Sequence, residues 1–175
     1  MKLFVYTCLV LLFPFVSVSQ SIDSEKSNVE FEIGGMLWTT VEGSIKGMKG
    51  NISFDKTNLA TASFNVCIDP NTIYTDNEER DAHLKNEDFF NVPKYPKICF
   101  VSTSVSQKGD RFIAKGKLTI LEVTKEIEIP FAYSAGKLSG KIMINRFDYG
   151  LAATSYDGTG MVDDEVTISI NCILK

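Results

Sequence analysis

The sequence has few of the side chains that build common catalytic and metal sites. It contains one histidine, His83, and four cysteines that form neither a Cys-x-x-Cys motif nor a Cys/His cluster. A zinc site or a thioredoxin-like redox site therefore has no support, and metal binding by a histidine pair is excluded. No Gly-x-Ser-x-Gly elbow is present to supply a nucleophile. We therefore expect a protein that is not an enzyme and that uses no metal or cofactor.

The sequence also lacks a cluster of basic residues. Its 18 Lys and Arg are outnumbered by 22 Asp and Glu, which gives a formal net charge of −4 at pH 7. Nucleic-acid binding needs clustered Lys and Arg that displace counterions from the phosphates. A nucleic-acid partner is therefore not expected.

No apolar run is long enough to remain as a membrane anchor. The run from Leu3 to Val16 follows a single Lys and precedes small residues at 17–19, as in a secretory signal peptide. Cys8 lies too early in the run for a lipoprotein. We predict a signal peptide over residues 1–19, one domain over 20–175 with net charge −5, and export, with the periplasm favoured and secretion as the alternative.

Three cysteines remain after the predicted cleavage, so at most one internal disulfide is possible. Alternation places Cys67 and Cys99 opposite to their apolar neighbours, so these two could meet across adjacent strands. Cys172 continues an apolar face and is typical of a buried, inert thiol. The alternative is that all three are small hydrophobic residues without a bond.

Apolar and polar residues alternate along nearly all of the chain outside residues 70–96. This period predicts about eight or nine strands, joined as an antiparallel meander by short hairpins. Their apolar faces must be buried together, in a two-sheet sandwich or a closed barrel. Inward-facing Gly43, Gly116 and Gly140 suit a sharply coiled small barrel or a lumen with room for a guest. The predicted segments are Val29–Ile33, Val41–Ile45, Ile52–Phe54, Phe64–Ile68, Ile98–Phe100, Phe112–Ile120, Ile127–Tyr133, Leu138–Ile144 and Val166–Ile170.

The interruption at 70–96 predicts a helical insertion near residues 76–92, capped by Asp76 or Asn77, over one mouth or edge of the sheet. Two readings compete for it. His83 could be a general base oriented by a nearby acid, among Asp81, Glu87 and Asp88. The favoured reading is a plug, in which Phe89-Phe90 inserts where the lumen would otherwise meet water.

Several motifs follow one another along the chain, namely Ile22-Asp23, Gly50–Asp55, Glu79–Lys85, Asp88–Val92, Lys94–Ile98, Gly116–Ile120 and Ile144–Gly150. In this order they resemble the YceI-like family of exported bacterial proteins. The resemblance covers all of residues 20–175 and departs from the family pattern at Lys26, Gly34 and Leu121-Glu122. It implies an all-β, lipocalin-like closed antiparallel barrel of about eight strands that holds a polyisoprenoid or related amphiphile in its lumen.

We therefore expect an exported carrier or sequestering protein whose partner is a polyisoprenoid or other long-chain lipid. A quinone or fatty-acyl binder of the same fold, or a packed-core interaction protein, is the alternative. Arg146 is the candidate for an anionic head group, although it could equally pair with Glu78, Asp81 or Asp148 to pin the barrel. The predicted lumen residues, each of which could instead be plain core, are Phe31, Ile33, Trp38, Val41, Ile52, Phe64, Val66, Phe89, Phe100, Leu118, Ile129, Phe131, Ile142 and Ile168.

Overall fold

The structure, a computed structural model, describes residues 19–35, 39–151 and 162–175. These residues form ten strands, one α-helix and three short 3-10 turns at Leu59–Thr61, Pro70–Thr72 and Arg146–Tyr149. The helix is α1 (Glu78–Lys85). The strands are β1 (Gln20–Ser21), β2 (Asn28–Gly35), β3 (Thr40–Ile45), β4 (Lys49–Ser53), β5 (Ser63–Ile68), β6 (Ile98–Lys108), β7 (Arg111–Ile120), β8 (Val123–Ser134), β9 (Lys137–Asn145) and β10 (Val162–Ile173).

The strands form one curled antiparallel sheet in the order β1-β4-β5-β6-β7-β8-β9-β10-β2-β3. All nine predicted segments are strands, β2 to β10, so the all-β prediction is confirmed. The predicted meander runs unbroken from β4 to β10, and β2 then pairs with β10. The sequence did not indicate β1, because two polar residues carry no alternation.

The prediction of a closed barrel of about eight strands needs one correction. Within the described residues, β3 pairs only with β2, while β4 pairs with β1 and β5, so strand ladders do not close the ring. The ladder directions make β3 and β4 run the same way with only three residues between them. They therefore act as two halves of one bent strand, which gives eight strand positions around the barrel. Because β3 pairs with β2 and β4 pairs with β5, the barrel is open at the bend.

Backbone hydrogen bonds from the segment after β5 cover the free edge of β3. Ser44 and Tyr74 exchange N–H···O bonds of 2.9 and 3.0 Å, and the Asp69 N–H donates to the Lys46 carbonyl at 3.1 Å. An uncovered strand edge would offer unpaired N–H and C=O groups to another chain. The covering segment thus ties the helical insertion to the strand on the far side of the gap.

Gly116 marks a place where the sheet coils. β6 has a bulge between Ser102 and Ser104 opposite Gly116, and a Cβ at Gly116 would collide with the Val101 carbonyl and the Phe100 ring. A bulge bends its strand and increases the local twist. Of the two readings offered for the inward glycines, sharp coiling therefore holds at Gly116, where neighbouring atoms occupy the space that the missing side chain leaves.

The helical insertion is shorter than predicted. α1 covers Glu78–Lys85, and its N-cap is Asn77, whose side chain accepts a 2.9 Å hydrogen bond from the Arg80 N–H. Asn77 was one of the two predicted caps, and the other, Asp76, has a φ of 59° just before it. Phe89 and Phe90 follow the helix in turns rather than in a second helical segment. The described part of the chain holds no helix that is both long and apolar enough to cross a bilayer.

The barrel has two different ends. The "helix end" is where β5 ends and β6 begins, because α1 lies in the connection between them. The antiparallel ladders place the ends of β2, β7 and β9 and the starts of β3, β8 and β10 at this same end. The opposite "aromatic end" carries the ring cluster of Phe54, Phe64, Phe112, Phe131 and Tyr133.

Candidate functional site

The interior of the barrel is not filled by its own side chains. A cavity of about 460 Å³ lies inside it, lined almost wholly by apolar residues from β2 to β10 and from the insertion. This volume is within the range of about 300–1,000 Å³ that small-molecule sites occupy. Inward-facing Phe31, Ile142 and Ile168 are only partly buried because the cavity lies beside them. The cavity is the candidate site.

The structure places thirteen of the fourteen predicted lumen residues on the cavity wall. Trp38, the fourteenth, lies outside the described residues, as does Met36 beside it. Whether the thirteen contact a ligand stays a prediction, since wall and core residues share the same inward face. They are Phe31, Ile33, Val41, Ile52, Phe64, Val66, Phe89, Phe100, Leu118, Ile129, Phe131, Ile142 and Ile168.

Sequence reasoning missed part of the wall. Ile45, Met48 and Ile73 are nearly fully buried cavity residues around the bend between β3 and β4, where the period of two breaks down. The alternation itself carried the signal for further wall residues, such as Ile127 and Ile170, because they lie on faces already identified as inward. Contacts made by the bend and the insertion could not be read from periodicity.

An "aromatic floor" of Phe54, Phe64, Phe112, Phe131 and Tyr133 closes the aromatic end. The Phe54 ring centroid lies 5.1, 5.4 and 5.1 Å from those of Phe112, Phe131 and Tyr133, and Phe64 lies 5.5 Å from Phe131. Most of these pairs meet edge to face, the favoured aromatic geometry. Only Phe64 and Phe131 face the cavity, and Phe54 and Phe112 close the end behind them. The cavity therefore stops at this floor.

The helix end is held by a polar network around the buried Thr75. The Thr75 hydroxyl donates to the Asp81 carboxylate at 2.6 Å and accepts a 2.8 Å hydrogen bond from Arg80 Nε. Arg80 Nη2 also donates to the Thr75 carbonyl at 2.6 Å. Thr75 and Asp81 are 4% and 9% exposed, so each depends on the other for hydrogen bonding. This network fixes α1 over the cavity, with Arg80 at its wall.

Arg146 reaches the same end from the other side of the barrel. Its side chain is 6% exposed and lines the cavity just after β9. Nε donates to the Asp163 carbonyl at 3.1 Å, Nη2 lies 3.9 Å from the Asp164 carboxylate, and the guanidinium stacks 4.1 Å from the Phe147 ring centroid. Among the described residues, Nη1 has no hydrogen-bond partner.

The ion pairs suggested for Arg146 as a structural pin are not found. Asp148 instead pairs with Lys125 at 2.7 Å, and Asp81 is held by Thr75. Arg146 is therefore a nearly buried cation whose carboxylate neighbour, Asp164, is 58% exposed. Its location beside the cavity agrees with the head-group hypothesis, which stays a prediction.

His83 lies on the cavity wall but in a weak position for catalysis. Its Nε2 is 3.7 Å from the Asp88 carboxylate, beyond hydrogen-bond length, and the two side chains are 43% and 48% exposed. The imidazole packs edge to face on Phe89 at 4.9 Å. This contact agrees with the plug reading, in which His83 and Phe89 pack at the rim of the barrel.

A disulfide joins Cys67 to Cys99, which are direct partners across β5 and β6. The sequence left open whether these two cysteines are bonded or unpaired, and the structure shows the bond. The bond lies at the base of the helical insertion, where the chain leaves and re-enters the sheet. Cys172 is free and buried, and desolvation raises the pKa of its thiol to about 11 against the opposing hydrogen bond with Ser27.

Across residues 19–35, 39–151 and 162–175, no group of three or more His, Cys, Asp or Glu is arranged to hold a metal ion. The expected absence of a metal remains a prediction. What the described part of the site offers is an apolar cavity, closed at one end by rings and bordered at the other by basic side chains. Such an arrangement can bind an apolar chain and contact a polar group at one end.

Comparison with known proteins agrees with this architecture. The model of the YceI-like domain family matches residues 20–174. Protein YceI of Salmonella newport is 35% identical over 116 residues, which is 65% of this chain and 61% of that protein. The match thus spans less than two thirds of the length of the curated relative.

Two solved structures share the fold. The crystal structure of Burkholderia cenocepacia BcnA superposes with a TM-score of 0.80 at 23% identity, covering 88% of this chain and 99% of that one. A polyisoprenoid binding domain from Saccharophagus degradans, implicated in plant cell wall breakdown, gives a TM-score of 0.68 at 16% identity, covering 89% and 97%.

Proposed function

Because this chain belongs to the YceI-like family, we propose that it is a lipid-binding protein that holds a polyisoprenoid or similar long-chain amphiphile in its barrel. It would act as a carrier or a sequestering protein rather than as an enzyme. The polyisoprenoid binding domain of the same fold supports this ligand class by analogy.

The observation that carries the proposal is the apolar cavity of about 460 Å³. A packed-core interaction protein would have filled this space, since protein interiors are normally packed to crystal-like density. Burial of about 500 Å² of ligand surface would contribute roughly 12 kcal/mol before costs, at about 25 cal/mol per Å². Immobilising a flexible chain removes much of this, which leaves micromolar or tighter binding within reach.

The apolar wall also limits what the site can discriminate. Apolar pockets distinguish ligands that differ by one methylene only modestly. A prenyl chain, a quinone tail and a fatty-acyl chain would therefore compete, with length and width as the main criteria. The aromatic floor supplies the length criterion, because its rings stop a tail that enters from the helix end.

We further propose that the protein works outside the cytoplasm, most simply in the periplasm. The apolar run of residues 3–16 supports this as a signal peptide. A disulfide between Cys67 and Cys99 is also typical of oxidising compartments. Detection of the processed chain in a periplasmic fraction, with residue 20 as its first residue, would test both points.

The proposed function is tested by filling the cavity. Ile142 lies on the cavity wall, and its neighbour Met143 is 60% exposed on the outer face of β9. Titration with geranylgeraniol should show binding to the natural protein, a loss of tenfold or more in I142W, and unchanged affinity in M143W. The matched control adds the same ring one residue away on the other face of the strand.

Overpacking can destabilise a core, so folding of I142W is checked by circular dichroism, and the smaller I142F serves as a second variant. Absence of geranylgeraniol binding to the natural protein, or equal binding by folded I142W, would contradict a lumen site.

His83→Ala is expected to leave geranylgeraniol binding within about threefold, because the imidazole is half exposed at the rim.

A further inference from the structure

Basic side chains, but no acidic ones, line the cavity among the residues that the structure describes. Within the described residues, the ionisable nitrogen groups that line the cavity are those of Arg80, His83 and Arg146, and no Asp or Glu lines it. All three lie at the helix end. The remainder of the wall is apolar, including the Phe64 and Phe131 rings at the aromatic floor. A ligand in the cavity therefore meets basic groups at one end only.

The three groups differ in how far their donors are already used. Arg80 Nε and Nη2 both donate to Thr75, in the network that fixes α1. His83 is 43% exposed and faces Asp88. Arg146 alone combines 6% exposure with a buried nitrogen, Nη1, that has no partner in the described part of the chain.

The charge of Arg146 is also poorly compensated. Within the described residues, the nearest carboxylate oxygen is on Asp164, 3.9 Å from Nη2, and belongs to a side chain that is 58% exposed. Asp163 contributes its backbone carbonyl, and Asp148 pairs with Lys125. A buried cation without a close anion is unfavourable, and so is a buried N–H without an acceptor. A single anionic oxygen group at Nη1 would relieve both.

We propose that Arg146 Nη1 binds the anionic oxygen head group, a carboxylate or a phosphate, of an amphiphile whose tail points to the aromatic floor. This rests on the proposed function and deepens it, because it gives the ligand an orientation and a head-group class. Arg is suited to the role, since its planar guanidinium donates paired hydrogen bonds to carboxylates and phosphates. Cationic amphiphiles of the same tail are excluded by the same charges.

The test uses ligands that share one tail: farnesyl phosphate, farnesoic acid, farnesol and farnesylamine. The natural protein should bind at least one of the two anions about tenfold or more tighter than farnesol, and farnesylamine more weakly than farnesol. The better anion identifies the head as phosphate or carboxylate. In R146Q the preference for the anion over farnesol should fall to about threefold or less, because the anion loses its cationic partner.

Arg111 provides the matched control, because it is exposed at the start of β7, away from the cavity wall. R111Q removes the same charge from the protein and should keep the full preference for the anion. The proposal is overturned if the natural protein binds anion and farnesol equally, if R146Q keeps the preference, or if R80Q rather than R146Q removes it. Failure of all four ligands to bind would instead count against the proposed lipid site itself.

A spectroscopic readout keeps the proposal testable if R146Q does not fold. The chain has three arginines, so the side-chain ¹⁵N signals of Arg80, Arg111 and Arg146 can be resolved and assigned with the R146K variant. Addition of the better-binding anion should shift the Arg146 signals much more than the Arg111 signals, and farnesol should not. An Arg146 signal that responds equally to the anion and to farnesol would overturn the assignment.

Discussion

The two ends of the barrel are closed in different ways. The aromatic end is closed by the aromatic floor, whose Phe54, Phe64, Phe112 and Phe131 are at most 9% exposed. The helix end is held by the Thr75 network, a disulfide and the partly exposed Phe89 and Phe90. The aromatic end is therefore closed by the barrel core itself, whereas the helix end combines a smaller core around Leu118 and Tyr149 with a cover attached by specific bonds.

This difference explains how a container can be both stable and accessible. Close-packed rings at one end supply non-directional stabilisation that depends on buried area. At the helix end, α1 has no fully buried apolar residue and is held by a few directional contacts, and segments with few buried apolar contacts are those that open locally at low cost. We therefore expect ligands to enter at the helix end and the aromatic end to act as the stable base.

Truncation of one phenylalanine at each end should give the largest difference in the free energy of unfolding. Phe131→Ala should lower the free energy of unfolding by about 3–5 kcal/mol, because it opens a void among packed rings. Phe89→Ala, at a partly buried ring of the cover, should cost about 1–2 kcal/mol. Urea denaturation of both variants measures the difference. Equal losses would show that the two ends are not distinct in packing.

Removal of the disulfide should weaken the helix end selectively. The pair C67S/C99S is expected to lose about 2–4 kcal/mol, because the bond restricts the loop that contains α1. Amide exchange should accelerate most in residues 69–97 and least around Phe112 and Phe131. Cys172→Ala, which removes a buried cysteine without breaking a bond, is the control and should not produce this pattern. Uniform acceleration over the whole sheet would argue against a separately attached cover.

Thr75→Val tests whether polar bonds hold the cover. The substitution keeps the shape of Thr75 but leaves the buried Asp81 carboxylate and Arg80 without their hydroxyl partner, at a cost of about 1–3 kcal/mol. Thr75→Ser keeps the hydroxyl and should cost about 1 kcal/mol or less, because it removes only one buried methyl group. If both variants were equally stable in urea, the network would have no role in fixing α1.

The smallest change in the free energy of unfolding is expected at Arg146, the poorly paired cation of the helix end. Arg146→Met in the ligand-free protein should change the free energy of unfolding by no more than about 1 kcal/mol, and in the stabilising direction if any, because it removes a poorly paired buried cation. Denaturant melts without ligand measure this. A loss of about 3 kcal/mol or more would show instead that Arg146 is a structural pin.

Most of the aromatic end and of the cavity wall could be predicted from the sequence. Period-two alternation identifies inward faces directly, so residues such as Ile129, Phe131 and Ile142 were placed correctly on the inner face. The floor itself was not identified as a unit, because Phe54 and Phe112 lie at strand ends whose meeting depends on register and coiling. Alternation shows which face of its strand a residue lies on, whereas the clustering of residues from different strands depends on the register and coiling of the sheet.

The helix end was less predictable because the residues that form its contacts do not follow a periodic pattern in the sequence. The Asn77 cap followed from local chemistry, but the Thr75 network joins a residue before the helix to two residues within it through side-chain bonds. The Cys67–Cys99 bond stayed undecided because alternation fixes the face of each cysteine without fixing the strand register. The sequence separated the segments that form β3 and β4, but for the same reason it did not show that they are two halves of one bent strand.

The central claim is that the barrel binds one lipid in its cavity, and native mass spectrometry tests it most directly. The purified protein, incubated with geranylgeraniol, should give a peak for one ligand per chain that is retained in M143W and lost in I142W. A spectrum that shows only the unliganded chain, with the protein folded and the lipid in excess, would contradict the account.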